Sequence, residues 1–135
     1  MDFLSALHIS GTGLSAERAR VNAASSNLAN AETTRGPDGE PYKRIDPVFE
    51  AVTLEGEAGL SEVQVTELKQ DEGPGKRVYL PGHPDADGAG FVTLPDVNPI
   101  HEVVNLMSAS RAYDANATAV DTLKNMAQRA LDISR

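Results

Sequence analysis

The chain has 135 residues and a mass of 14.3 kDa, the size of one domain. Its net charge of −8 argues against nucleic acid or an anionic membrane surface as a partner, and no apolar run is long enough to insert into a membrane. It has no Cys, hence no disulfide framework or thiolate metal site, and with three Tyr, three Phe and no Trp it has little aromatic material for a core.

The composition divides the chain into three parts. All eight Pro lie between Pro37 and Pro99, and nine of the eleven Gly lie between Gly36 and Gly90. Ala is concentrated in the flanks, with seven of eighteen in residues 1–31 and seven in 101–135. Residues 36–100 carry thirteen acidic and five basic side chains, whereas the flanks carry seven of each. This reads as an α+β fold: a helix over 1–31, an acidic Gly/Pro-rich β insert over 32–98, and a helix over 99–135. Two helices of about 30 residues would each reach about 45 Å, against a radius of gyration of about 14 Å for a compact chain of this length, so the expectation is an elongated molecule, or termini disordered until something covers them.

The first helix is expected from about Phe3 to about Ala31, with Asp2 as its N-cap. Asp2 also stands where a secretory leader would carry basic residues, so no cleaved leader is expected. Leu7, Leu14, Val21 and Leu28 recur every seventh residue, a narrow stripe closer to a coiled-coil seam than to a core face. Ser10-Gly11-Thr12-Gly13 is the place where this helix is expected to bend or start late. In the insert, Val48 to Leu54, Val63 and Val65, Val78 and Leu80, and Phe91 to Leu94 are β-type stretches. They are separated by turn sequences at Gly36–Gly39, Gly56–Gly59, Gly73–Gly75 and Pro81–Pro84, which predicts a small antiparallel hairpin or sheet on one end of the helices. The second helix has Asn98 to cap it and Pro99 for its first turn, and should run to about Ile133. Its apolar residues from Ala117 to Ile133 fill an arc of roughly 200°, twice what one antiparallel partner covers. Val103, Val104 and Met107 point elsewhere and are expected to rest on the insert.

Chemistry is sparse. Gly11-Thr12-Gly13 lacks the third Gly and the preceding strand of a dinucleotide site, and Gly73-Pro74-Gly75-Lys76 lacks the first Gly of a phosphate loop. His83, Asp85 and Asp87 offer one imidazole and two carboxylates to a divalent cation, but a solvated acidic turn is the preferred reading. His8 and His101 are read as surface residues, and no Ser has a His or acidic partner at recognisable spacing. No catalytic residue, cofactor or metal is expected. Polar residues within Ala-rich helices stand out instead, because a polar group in an interhelical seam penalises wrong alignments. The candidate assembly seam comprises Leu7, Leu14, Val21, Asn27, Leu28 and Asn30 on the first helix. On the second it comprises Arg111, Tyr113, Asn116, Val120, Leu123, Met126 and Ala130.

Four segments carry a resemblance: Ser25 to Thr34 (SSNLANAETT), Gly36 to Tyr42 (GPDGEPY), Val78 to Ala86 (VYLPGHPDA) and Glu102 to Asn116 (EVVNLMSASRAYDAN). Together they resemble the axial proteins of bacterial flagella, and among these the C-type subunits of the proximal rod. The usual axial pattern places Gly-Tyr directly after the Asn-Thr segment, whereas here Tyr42 follows the Gly-Pro-Asp-Gly turn. The resemblance implies a structural subunit with an antiparallel coiled coil of the two terminal helices, polymerising into the tubular drive shaft that crosses the periplasm and encloses the export channel. It implies as partners copies of the chain, other proximal and distal rod proteins, the basal-body base with its MS-ring-associated adaptor, and the flagellar export apparatus. Two other readings stand beside it. One is a helical secretion adaptor or chaperone, which would form a soluble dimer with a client. The other is a small acidic enzyme using a metal at Asp85 and Asp87.

Overall fold

The computed structural model describes residues 3–54, 56 and 59–133. The expected cap at Asp2 lies outside them. The element order is α1 (Phe3–Ala29), β1 (Ile45–Thr53), β2 (Ser61–Gln70), β3 (Lys76–Tyr79), β4 (Phe91–Leu94) and α2 (Pro99–Ile133). Two helices and two antiparallel hairpins make an α+β fold.

α1 is one unbroken helix. Of the two Gly residues expected to bend it, Gly13 serves contact instead: a Cβ there would lie 3.0 Å from the Asn116 amide of α2. Between them, Thr12 donates its hydroxyl to the Ile9 carbonyl and accepts the Val63 N–H of β2. The helix closes two residues before the expected Ala31, where Asn30 caps it. Asn30 Nδ2 donates to the Ser26 carbonyl at 2.9 Å, and its Oδ1 accepts the Thr33 hydroxyl at 3.1 Å. α2 starts as expected: Asn98 Oδ1 accepts the N–H groups of Ile100 and His101. That satisfies two of the four donors a helix leaves free, and Pro99 has none to satisfy. The helices run antiparallel, Asn27 opposite Glu102 and Gly13 opposite Asn116.

The β1–β2 ladder shifts register between Val48 and Phe49, so Thr66 is an extra residue on β2. Residues directly opposite in an antiparallel pair share a face. Pro47, Phe49 and Ala51 therefore share theirs with Leu68, Val65 and Val63. Without the bulge, strict alternation would put Glu67 in place of Leu68 on that face. Phe49, Val63 and Val65 border α1 along Thr12, Ala16, Ala23 and Ala24. The β3–β4 hairpin lies at the junction where α1 ends and α2 begins, with Val92, Pro95 and Val97 buried. Gly75 has a positive φ of 76°, and a Cβ there would come within 2.5 Å of the Leu94 carbonyl oxygen, so only Gly fits.

Two expectations are corrected. The insert does not sit wholly on one end of the helices, because the first hairpin lies alongside α1 from Asn27 back to His8, which bonds Glu62 at 2.5 Å. Val103, Val104 and Met107 do not rest on the insert: they are 41%, 58% and 53% exposed. The β1–β2 hairpin follows α1 in sequence and folds back along it, and α2 is left with α1 as its one packed element among the described residues.

Candidate assembly surface

The best-ordered polar site is built on one amide. Asn27 is fully buried, and all four of its hydrogen-bonding positions are used. Nδ2 donates to the Ile45 carbonyl at 2.8 Å and to Glu102 Oε2 at 3.2 Å. Oδ1 accepts the Ile45 N–H and the Tyr42 hydroxyl, each at 2.9 Å. Donating to and accepting from the same backbone residue, the side chain takes the place of a neighbouring strand on the free edge of β1. Glu102, 1% exposed, accepts Arg44 Nε at 2.6 Å, and Arg44 also pairs with Asp46. Burial pulls the Arg44 guanidinium down, but its hydrogen bonds to Glu102 and Asp46 outweigh that and raise it. The Tyr42 hydroxyl is raised by burial first, then by the Glu102 carboxylate, against Arg44. Among the described residues no buried side-chain polar atom lacks a partner. A saturated cluster of this kind clamps α1, β1 and α2 together and offers no free base or nucleophile.

The His83–Asp87 turn has a similar structural use. Asp85 accepts the Thr34 hydroxyl at 2.7 Å and pairs with Arg35; its carboxyl is held low, chiefly by the Thr34 bond. Asp87 accepts the N–H groups of Phe91 and Ala89 at 2.9 Å and Arg77 at 2.6 Å, and is held low, chiefly by the Phe91 N–H. Both carboxylates tie the β3–β4 loop, and among the described residues no group of three metal-ligating side chains converges. No helix is long and apolar enough to cross a membrane among those residues.

The structure divides the seam residues read from the sequence. Asn27 is consumed inside the chain, and Asn30 closes α1. Leu7, Leu14, Val21 and Leu28 are half-buried. At 100° per residue they flank the α2-facing line of Gly13, Arg20, Ala24 and Asn27 on the side away from the β1–β2 hairpin. The buried positions of α1 are small ones, Ala16, Ala23 and Ala24, with Asn27. On α2, Asn116, Val120 and Leu123 are half-buried toward α1, whereas Arg111, Tyr113, Met126 and Ala130 are exposed. Sequence reasoning missed Glu102 and Arg44. The one available signal was a lone carboxylate in the apolar run Glu102-Val103-Val104, four residues past the Asn98 cap.

Most of α2 is uncovered: of its 35 residues only Glu102 and Ala109 are buried. The accessible surface of the chain is 9153 Å². A compact monomer of this mass would have roughly 6,800 Å². The surplus is about 2,300 Å², and one partner's share of an ordinary specific interface is about 800 Å².

Known proteins show the same organisation in sequence. The family of flagella basal body rod proteins matches residues 7–37, and that of the C-terminal part of flagellar basal body rod FlgEFG proteins matches residues 89–133. The flagellar basal-body rod protein FlgC of Escherichia coli O157:H7 is 41% identical over 135 residues, all of both chains. FlgC of Aquifex aeolicus is 42% identical over 133 residues, covering 98% of this chain and 97% of its own. FlgC of Bacillus subtilis is 36% identical over 145 aligned positions, 96% of each chain. With similarity running the full length, and the matched rod segments covering all of α2 and most of α1, the chain belongs to the family of flagellar basal-body rod proteins FlgC.

Proposed function

We propose that this protein is a non-catalytic building block of the flagellar basal-body rod, assembling with copies of itself and with other rod proteins into a tubular shaft. The surplus of exposed surface carries the reading: about 2,300 Å² beyond a compact monomer is room for roughly three neighbours at about 800 Å² each. Family membership supports the same conclusion. Contacts between different patches on successive subunits build helical tubes when their rotation does not close a ring. Such a tube transmits torque through packing alone, without a reaction.

In this reading α1 and α2, within the terminal parts 1–31 and 99–135, form an antiparallel coiled coil in the wall of the tube, and the acidic insert over 32–98 sets the spacing between subunits. The exposed members of the seam, Arg111, Tyr113, Met126 and Ala130, face neighbouring subunits, and the half-buried Leu7, Leu14, Val21 and Leu28 are completed by them. The site of action is the periplasmic part of the basal body, reached through the flagellar export apparatus. The basal-body base and its MS-ring-associated adaptor lie below the chain in the stack.

The test is location. A tagged chain should purify with isolated basal bodies, and Leu14→Asp or Leu123→Asp should abolish incorporation and swimming. Wild-type swimming by both variants, or a chain missing from basal bodies, would overturn the assignment.

A further inference from the structure

The large apolar side chains that the helices leave exposed gather at two ends. Ile100, Val103, Val104 and Met107 lie in the first three turns of α2. At 100° per residue they span an arc of about 100° centred nearly opposite Ala109, which is buried toward α1. Met126 and Ile133, 61% and 87% exposed, lie in the last turns with the exposed Ala130 between them. Between residues 108 and 125 of α2, Tyr113 is the one exposed large apolar side chain. The pairing of Gly13 with Asn116 and of Asn27 with Glu102 sets Phe3 level with Met126. Residues 127–133 therefore extend past the described part of α1.

We propose that these ends are the two halves of a lap joint: the last two turns of α2 in one rod chain lie on the outward face of the first turns of α2 in the next. The occupant is a neighbouring rod chain that carries the same C-terminal helix. The segment matched by the rod family, 89–133, contains both halves, so a second copy of this chain brings both a donor end and an acceptor face. The two patches have similar lengths, about 10 Å each at 1.5 Å per residue. A head-to-tail overlap of parallel helices sets the negative C-terminal end of one helix dipole beside the positive N-terminal end of the next. Joining two different patches makes the contact heterologous, and a heterologous contact whose rotation does not close propagates as an open helical array.

The inference rests on the rod reading, and one experiment separates the two. A photoreactive benzophenone residue in place of Met107 is introduced in cells building flagella. After illumination, basal bodies are isolated and the adduct is mapped by peptide mass spectrometry. The expected adduct is with the segment corresponding to residues 126–133 in the C-terminal helix of a rod chain. An adduct with another segment or a non-rod protein, or no adduct from an incorporated chain, overturns the joint and leaves the rod reading standing. Absence of the unmodified chain from basal bodies overturns both. As a second arm, Val104→Asp and Met126→Asp alter exposed positions, so the purified monomers should keep their helix content while incorporation falls at least tenfold. Unchanged incorporation would overturn the joint.

Discussion

α1 and α2 are alike in composition and unlike in circumstance. α1 contains six Ala and α2 seven. Four residues of α1 are buried in a helix of 27, against two of 35 in α2. The difference lies in the neighbours: α1 has the β1–β2 hairpin on one side and α2 on another, whereas α2 has α1 alone. An amphipathic stripe states how much burial a helix can use, and the architecture decides how much of it is met within one chain. The unmet part of α2 is what a polymerising subunit carries to its neighbours.

The largest expected effect comes from comparing one Asn on each helix. Asn27→Ala removes four hydrogen bonds, strands the Ile45 N–H and carbonyl, and takes a partner from buried Glu102. A loss of about 3 kcal/mol is expected in urea unfolding of the monomer. Asn125→Ala, at an exposed position of α2, should change stability by less than about 0.5 kcal/mol. Equal effects would break the contrast between a clothed helix and a bare one.

These two positions also show what the sequence could reveal. Local chemistry was legible: Asn98 and Pro99 open α2, the β-rich stretches became β1 to β4, and Gly/Pro turns joined them. The existence of half-covered helices was legible too, from an apolar arc too wide for one partner. Long-range partnership was not. Nothing near Asn27 in sequence says that its amide would serve as an edge for β1, or that Glu102 would meet Arg44 across 58 positions. Such pairs depend on the path of the insert, and a bulge at Thr66, which decides whether Leu68 or Glu67 shares the face of Phe49, leaves no compositional mark.

A smaller effect sharpens the same comparison at the Gly residues of α1. Ala is favoured over Gly inside a helix by about 1 kcal/mol. Around Gly11 a new Cβ meets nothing within 4 Å, so Gly11→Ala should stabilise by up to about 1 kcal/mol. At Gly13 the Cβ would sit 3.0 Å from Asn116 Nδ2, and the α2 side chain would have to yield. Gly13→Ala should therefore gain less than Gly11→Ala, or lose, when melting temperatures are compared. Equal gains would mean that α2 does not press on α1 at this level.

The smallest effects are in pH, and they separate the interhelical clamp from the β3–β4 loop. Tyr42 is raised by burial and by Glu102, so its contribution is complete below the ordinary tyrosine value of about 10 and is lost as pH rises through the raised value. Asp85 and Asp87 are lowered, so their contribution is complete above the ordinary aspartate value of about 3.9 and is lost as pH falls through the lowered values. The Tyr42 contribution to the clamp should be lost in alkali, and the Asp85 and Asp87 contributions to the loop in acid. The protection of residues 80–91 against amide hydrogen exchange, taken relative to the intrinsic rate at each pH, should fall below about pH 4 in the wild type. In Asp87→Asn the carboxylate that accepts the Ala89 and Phe91 N–H groups is gone, so protection there should already be low at neutral pH and change less on acidification. A wild-type exchange profile in Asp87→Asn would mean that the loop is held by the β3–β4 ladder and the Asp85 contacts alone, and the acid-sensitive part of the contrast would then rest with Asp85.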